Sequence, residues 1–564
     1  MKIALIYPPF AMPNRPHIAL PCLAAYLKSK GVGVSAFDAN IEFYHSLLEP
    51  ESMSRSATYA RDRFRQLEKK PALSPPQETE YRRLAAIRQD AADTADMTQA
   101  LFGAGHLTNE ERMRWFHRAV QLATVPWFPE YLDFTESTNY IRYKSPFRKF
   151  STGDILDSLE QPSLVSPFIE EKLMPLVREQ NPDIVGISVA FPDQIIPAFF
   201  CAQLIRRHLP AVYITLGGSF ISTHMRSVKE PRLFHIIDSL VLDNGELPLE
   251  RLVEALAGSR SAWESIPGLV YYCRSRRKIV ANPPQPPLEL AALPPPDYGI
   301  FPLDRYLANR EALVLLFQLS RGCYWGRCTF CNSHLPMIRG HDQPSAENLY
   351  QKLKTVIGQT GAKQIHFTDE AASPQVLEGL SRYIKRDKMK IGWGANVRFD
   401  KALTLERLFL YREAGCYSLC LGLESYNNRV LRLMVKGIST ALVDKILSNI
   451  SWAGIESVVY MIVGFPGETE EEALFSFSKI KEFIEKGLIC DCVYNIFEIS
   501  PHSPISASPA TFGIEKISCD DDLDLMPPIV NFESTGMSRS TASRLCLSFI
   551  HEIKELRGEA RQRE

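Results

Sequence analysis

The chain has almost no net charge: 64 lysines and arginines stand against 65 aspartates and glutamates in 564 residues. Nucleic-acid binders carry a basic excess, so that class is not expected at the level of the whole chain. No apolar run approaches the roughly 18 residues that a membrane span needs, so none is expected. The opening "MKIALIYPPFAMPNRPH" is only briefly apolar, is broken by prolines and lacks a small-residue cleavage site. It reads as a first β-strand and not as a signal peptide. The 12 cysteines are scattered. In a chain of this cytoplasmic character most of them are expected to be small buried hydrophobes, without disulfides. What the chain does have is length, too much for one hydrophobic core, so two or three domains are expected.

Strand and helix patterns alternate along most of it. "KIALIY", the helical "HIALPCLAAYLKSKG" and "GVSAFDAN" open the series. Residues from about 45 to 160 break it with charged, helix-prone sequence that reads as a surface insertion. The series resumes at "DIVGISVAF", a β-branched run suited to a strand buried on both faces. "AVYITLGG" and "DSLVLDNGE" follow, each separated by a helix. Such alternation predicts a doubly wound parallel sheet with its ligand at the carboxyl ends of the strands. Those ends carry Pro8, Ser188, Val189, Gly217, Gly218, Ser219, Gly245 and Glu246. Residues 281–310 are proline-dense and read as an extended linker. Beyond it six further strand–helix units, from "LVLLFQLS" to "CVYNIFEIS", fit a partial (β/α)6 barrel whose chemistry lies at the strands' C-terminal ends. The expected fold class is α/β. A Rossmann-like sheet domain occupies 1–280, the barrel 311–505, and a small, mostly helical region 506–564.

One loop concentrates thiols. "RGCYWGRCTFCN" (321–332) places Cys323, Cys328 and Cys331 directly after the first barrel strand. Three thiolates at this spacing serve either zinc or an iron–sulfur cluster. Structural zinc takes four protein ligands, and only His334 is close in sequence. A cluster with three cysteine ligands keeps one iron open for another molecule.

The loop and the motifs beyond it resemble the radical S-adenosylmethionine (radical SAM) superfamily. The resemblance implies a 4Fe–4S cluster on Cys323, Cys328 and Cys331, its open iron taking the amino and carboxylate groups of S-adenosylmethionine. The family's usual spacing is C-x3-C-x2-C; here the first gap holds one residue more, while the second gap and the aromatic Phe330 are kept. The resemblance further assigns S-adenosylmethionine contacts to Phe330, to Thr368, Asp369 and Glu370 ("FTDE"), Asn396 and Arg398 ("NVR"), Glu424 and Ser425 ("GLES"), and Gly464 and Pro466 ("GFPGET"). A doubly wound sheet before such a barrel is similar to the cobalamin-binding subgroup. That implies a corrinoid at the sheet's carboxyl ends, against Pro8, Ser188, Val189, Gly217, Gly218, Ser219, Gly245 and Glu246. There is no Asp-x-His-x-x-Gly segment, so no histidine ligand to cobalt is expected. Asp243-Asn244-Gly245-Glu246 stands where others read Gly-Glu-Gly-Glu.

The function implied is an oxygen-sensitive, cobalamin-dependent C-methyltransferase acting on a small-molecule or peptide substrate and fed by an electron donor such as flavodoxin or ferredoxin. Two alternatives stand beside it: a radical cyclase or rearrangement enzyme that does not methylate, and a zinc-stabilised, non-catalytic binding protein.

Overall fold

The computed structural model describes residues 1–88, 101, 108–135, 140–258, 260–307, 312–518, 520 and 522–563. Two compact units form: Met1–Gln285 with Asp297–Leu313, and Pro286–Pro296 with Val314–Glu564. Among the described residues no helix is long and apolar enough to cross a membrane.

The first unit is built on seven strands: β1 (Lys2–Tyr7), β2 (Gly33–Asp38), β5 (Ile184–Ser188), β6 (Tyr213–Gly217), β7 (Ser239–Val241), β8 (Leu269–Cys273) and β9 (Lys278–Ala281). β3 (Tyr131–Thr135) and β4 (Tyr140–Lys144) form a separate hairpin. The sheet order is β2-β1-β5-β6-β7-β8-β9. Its first five strands run parallel, and β8 and β9 add antiparallel at one edge. Chain order reverses between β1 and β5, which creates the crevice where doubly wound sheets bind ligands. β5 is buried along its whole length, as its apolar run requires.

The insertion carries the helices Pro50–Glu68, Pro75–Ala86 and Asn109–Ala123, but it is not purely helical. The β3–β4 hairpin interrupts it, because Leu132, Ile141 and Tyr143 alternate with polar residues and turn inward. Of the helix-prone stretch 80–102, residues 89–100 and 102 lie outside the described residues.

The proline-rich segment is not a free linker. Its second part folds onto the first unit: Asp297 pairs with Lys28 at 2.8 Å, Leu307 N donates to the Pro13 carbonyl at 3.0 Å, and the Tyr306 hydroxyl donates to Asp38. Burial lifts the Asp38 carboxyl to about 6. Its first part packs with the second unit, where the Leu290 amide donates to Asp342 at 2.6 Å.

The second unit contains six parallel strands in chain order: β10 (Val314–Phe317), β11 (Gln364–Phe367), β12 (Gly392–Val397), β13 (Cys416–Glu424), β14 (Glu456–Val463) and β15 (Asp491–Ile496). Five helices, one after each strand from β10 to β14, start at a side-chain cap: Ser345, Ser373, Thr404, Ser439 and Thr469 each accept from the amide three residues on. Each cap contributes about 1 kcal/mol and fixes where a strand-end loop stops. The C-terminal region adds a hairpin of β16 (Ile514–Ser518) and β17 (Asn531–Ser534) before the helix Arg539–Arg563.

Candidate active site

The cysteine loop leaves β10 and is held at both ends by backbone. Arg321 and Asp342 exchange two hydrogen bonds of 2.9 and 3.0 Å. Between them Gly322 adopts φ +79, and a Cβ there would lie 2.2 Å from Gly340 O and 2.4 Å from Ile338 O. Farther along, Thr329 N donates to Met434 O at 3.1 Å and Thr329 Oγ1 to Leu433 O at 3.2 Å. The loop is thus moulded onto residues 433–437. The three thiols are electrostatic neighbours: burial first, then the charges of Cys328 and Cys323, push the Cys331 thiol up to about 11, and Lys436 opposes them. Among the described residues no group of three or more His, Cys, Asp or Glu side chains is placed to hold a metal ion as the side chains stand. A trio of mutually interacting thiols on a glycine-shaped loop fits a multi-iron cluster better than a four-ligand zinc knot.

Beside the thiols lies a buried ion pair. Lys436 Nζ stands 2.7 Å from Glu424 Oε1, with the two side chains only 7% and 11% exposed. Glu424 ends β13 at φ +70, where the β13–β14 register shifts between Gly422 and Glu424. The bulge and the strained backbone aim the carboxylate at Lys436. Gly422 leaves the room: a Cβ there would lie 2.6 Å from Glu424 Oε1 and 2.9 Å from Lys436 Nζ. The Lys436 ammonium also sits over the Phe330 ring, 5.6 Å from its centroid, and Phe330 meets Phe465 edge-on at 6.5 Å.

The remaining S-adenosylmethionine candidates divide. Asp369 is buried, and its carboxylate accepts from Leu319 N, Ser320 N and, at 2.7 Å, Ser320 Oγ. Burial lifts it to about 6 while these bonds pull it down. Its oxygens bind the β10 end to the β11 end, so Asp369 shapes the site. Thr368 N donates to Phe317 O at 3.0 Å, while the Glu370 side chain is exposed. Asn396 Nδ2 donates to Asp369 O at 3.2 Å and its Oδ1 faces His366 Nε2 at 3.3 Å. The buried Arg398 donates to the Lys436 carbonyl and lies 3.8 Å from Cys328 Sγ. Ser425 packs inward, 3.4 Å from Ser476 Oγ. Gly464 N donates to Glu468 Oε2 at 2.8 Å, and Pro466 is buried in the same turn. Burial pushes Glu468 up to about 8.

Sequence reasoning missed Lys436, Trp325 and Glu468. A lysine in "RLMVKGIS", a charge within an apolar stretch, was the only signal for the first. It missed as well the C-terminal strap, in which Met537 N donates to Glu468 O at 2.9 Å.

In the first unit the sheet order brings Pro8, Ser188, Val189, Gly217, Gly218, Ser219, Gly245 and Glu246 to the ends of four neighbouring strands. Gln194 spans the crevice between β1 and β5: its Nε2 donates to Pro8 O at 2.7 Å, and its Oε1 accepts from Ala190 N and Phe191 N. Gly218, at φ +105, lies so close to Val189 that a Cβ would come 2.4 Å from its carbonyl oxygen. Ser219 Oγ donates to Ala190 O at 2.8 Å, and Gly245 abuts Leu23. Glu246 is buried at the start of the helix Glu246–Ala257. Asp243 takes φ +64, the conformation that glycine would favour at this place, and pairs with Arg226.

A parallel barrel sheet with a three-cysteine loop after its first strand defines a class of protein, and the comparisons name it. The Radical SAM superfamily model matches residues 317–478, and this part of the chain is a radical SAM domain. Among curated proteins the chain is similar to the uncharacterized methyltransferase PH0819 of Pyrococcus horikoshii, 29% identical over 54% of this chain and 65% of that one. It is also similar to the anaerobic magnesium-protoporphyrin IX monomethyl ester cyclase of Rubrivivax gelatinosus, 25% identical over 59% of this chain and 60% of that one. The chain thus spans less than two thirds of the length of either relative. Among solved structures it resembles the cobalamin-dependent S-adenosylmethionine radical enzyme OxsB (TM-score 0.53, 18% identity, 67% of this chain and 59% of that one). It likewise resembles the radical S-adenosylmethionine methyltransferase TsrM from Kitasatospora setae (TM-score 0.53, 14% identity, 92% and 77%). These two likenesses establish a shared fold.

Proposed function

We propose that the protein is a cobalamin-dependent radical SAM C-methyltransferase that acts on a small-molecule or peptide substrate. The observation that carries this reading is the buried Glu424–Lys436 pair set beside three neighbouring thiols. A buried ion pair is costly unless each charge is well matched, and this one offers an ammonium and a carboxylate at a site sized by Gly422. The amino-acid end and ribose of S-adenosylmethionine present the complementary groups: Lys436 suits its carboxylate, and Glu424 its ammonium or hydroxyls. Cys323, Cys328 and Cys331 would hold a 4Fe–4S cluster, which supplies the electron for reductive cleavage of the sulfonium. Phe330 and Phe465 supply apolar walls, and Glu370 and Asn396 line the neighbouring strand ends. The sheet ends from Pro8 to Glu246 would hold cobalamin as methyl carrier: glycine at 217, 218 and 245 lets the neighbouring strand-end segments pack closely against Val241, Val189 and Leu23, which shapes the crevice where a doubly wound sheet takes its ligand. The relatives whose printed names are methyltransferase, and the cobalamin enzymes that share the fold, support this reading. A flavodoxin- or ferredoxin-type donor would supply the electrons.

The deciding experiment is anaerobic reconstitution with iron, sulfide and hydroxocobalamin, followed by iron and cobalt analysis and by assay with S-adenosylmethionine. Four irons and one cobalt per chain, with S-adenosylhomocysteine formed during turnover, are expected. Cys328→Ala should lose the iron and keep the cobalt. Zinc in place of iron would refute the reading. The likeness to the cyclase favours a second one, radical ring closure without methylation. Formation of 5′-deoxyadenosine without S-adenosylhomocysteine would select it.

A further inference from the structure

We propose that Trp325, carried by the one-residue-longer gap between Cys323 and Cys328, positions the Arg398 guanidinium against the Cys328 sulfur and thereby sets the reduction potential of the cluster. The inference rests on the cluster reading above. The gap runs Cys323-Tyr324-Trp325-Gly326-Arg327-Cys328, and Gly326 at φ +59 turns the chain back toward Cys328. Trp325 is fixed on two sides. Its Nε1 donates to Val435 O at 2.9 Å, and its ring lies against Gly437, whose φ is +73 and where a Cβ would fall 2.2 Å from Trp325 Cζ2. Val435 itself takes φ +51, a conformation β-branched residues strongly disfavour, and this turns its carbonyl to the indole. A strained residue persists only where its surroundings hold it, and here Val435 N donates to Arg432 O at 3.0 Å while its carbonyl accepts from the indole.

That indole faces Arg398. The guanidinium stands 4.9 Å from the Trp325 ring centroid, donates through Nη2 to the Lys436 carbonyl, and points Nη1 at Cys328 Sγ from 3.8 Å. Arg398 is therefore a buried cation held by a carbonyl on one side and a π face on another, with its third contact a cluster thiolate. Cation–π contacts of desolvated arginine are stronger than exposed ones. Hydrogen bonds and positive charge at cluster sulfurs stabilise the reduced, more negative state and raise the potential. Remove the ring, and the Lys436 carbonyl alone cannot fix the direction of Nη1. Trp325 is a positioning residue: it acts on the sulfur through Arg398.

The test is an EPR-monitored redox titration of the anaerobically reconstituted full-length chain as wild type, W325L, W325F, R398Q and W325L/R398Q. At a fixed potential, W325L and R398Q should each shift the oxidised-to-reduced ratio at least tenfold toward oxidised, about 59 mV for a one-electron couple. W325F keeps an aromatic face and should stay within about twofold of wild type. The double variant should shift no further than R398Q, because the two residues act in series. Additive shifts in the double variant overturn the inference, as does a W325F shift equal to that of R398Q. Should W325L take up no iron, W325F against R398Q still decides. A wild-type chain that takes up no iron overturns the cluster reading itself, and this inference with it, a result distinct from additive shifts in a well-formed cluster.

Discussion

Alanine at Gly322 is expected to destabilise the second unit by about 3–4 kcal/mol and to abolish cluster loading. The residue sits at φ +79, where a Cβ costs about 1–2 kcal/mol. The same Cβ would meet Gly340 O at 2.2 Å and Ile338 O at 2.4 Å, both backbone atoms that no rotamer can move. Relief means separating Arg321 from Asp342, and their two hydrogen bonds contribute about 1 kcal/mol each. Cys323 is the next residue, so the displacement falls directly on a ligand. Gly340→Ala is the control: φ is +89, but its Cβ would meet nothing within 4 Å, so only the conformational cost of about 1–2 kcal/mol applies. Urea denaturation of the two apo variants beside wild type, and iron per chain after reconstitution, provide the measurement. The reasoning fails if the two variants differ by less than about 0.5 kcal/mol, or if Gly322→Ala binds iron as wild type does.

Three further outcomes are expected. Burial lifts Glu468 from 4.5 to about 8, so between these values the native chain keeps a proton that the unfolded chain has released. Its contribution is complete below about pH 4.5 and is lost as the pH rises through about 8, a change on the order of a few kcal/mol. Denaturation midpoints across that range should fall in wild type and stay flatter in Glu468→Gln; equal slopes would contradict the burial argument. Lys436→Met strands a buried Glu424 carboxylate and should cost about 3–5 kcal/mol, much of it recovered in the double variant with Glu424→Gln. A double variant as unstable as the single one would show that the charge is not what matters. Gly218→Ala drives a Cβ to 2.4 Å from Val189 O. It should weaken hydroxocobalamin binding, followed by its absorbance, while leaving iron loading intact; unchanged cobalamin affinity would remove the β6 end from the proposed site.

Much of the architecture was legible because it rests on local pattern. Apolar β-branched runs marked β5 and β14, and the serines and threonines that cap the five barrel helices stand in the sequence where the strand-end loops finish. The β3–β4 hairpin was hidden, since its five-residue strands lie among charged helices and their alternation spans only three inward residues. The proline-rich segment read as a linker because proline density reports stiffness, whereas its packing depends on Tyr306 finding Asp38, 268 residues away in the chain.

The sequence by itself determined the class of fold and placed three cysteines on one strand-end loop, because spacing along such a loop is a local property. It could not determine which neighbouring polar groups serve a ligand. "FTDE" and "NVR" named Asp369 and Arg398 by position, yet tertiary contacts engage the first with the Ser320 backbone and the second with Lys436 and Cys328. Glu424 and Lys436 lie 12 residues apart, and only a bulge, a positive φ and an absent Cβ at Gly422 bring them together. The extra residue in "CYWGRC" is unexplained as spacing. It gains a reason only in three dimensions, where the indole it carries meets Gly437 on one side and a buried guanidinium on another.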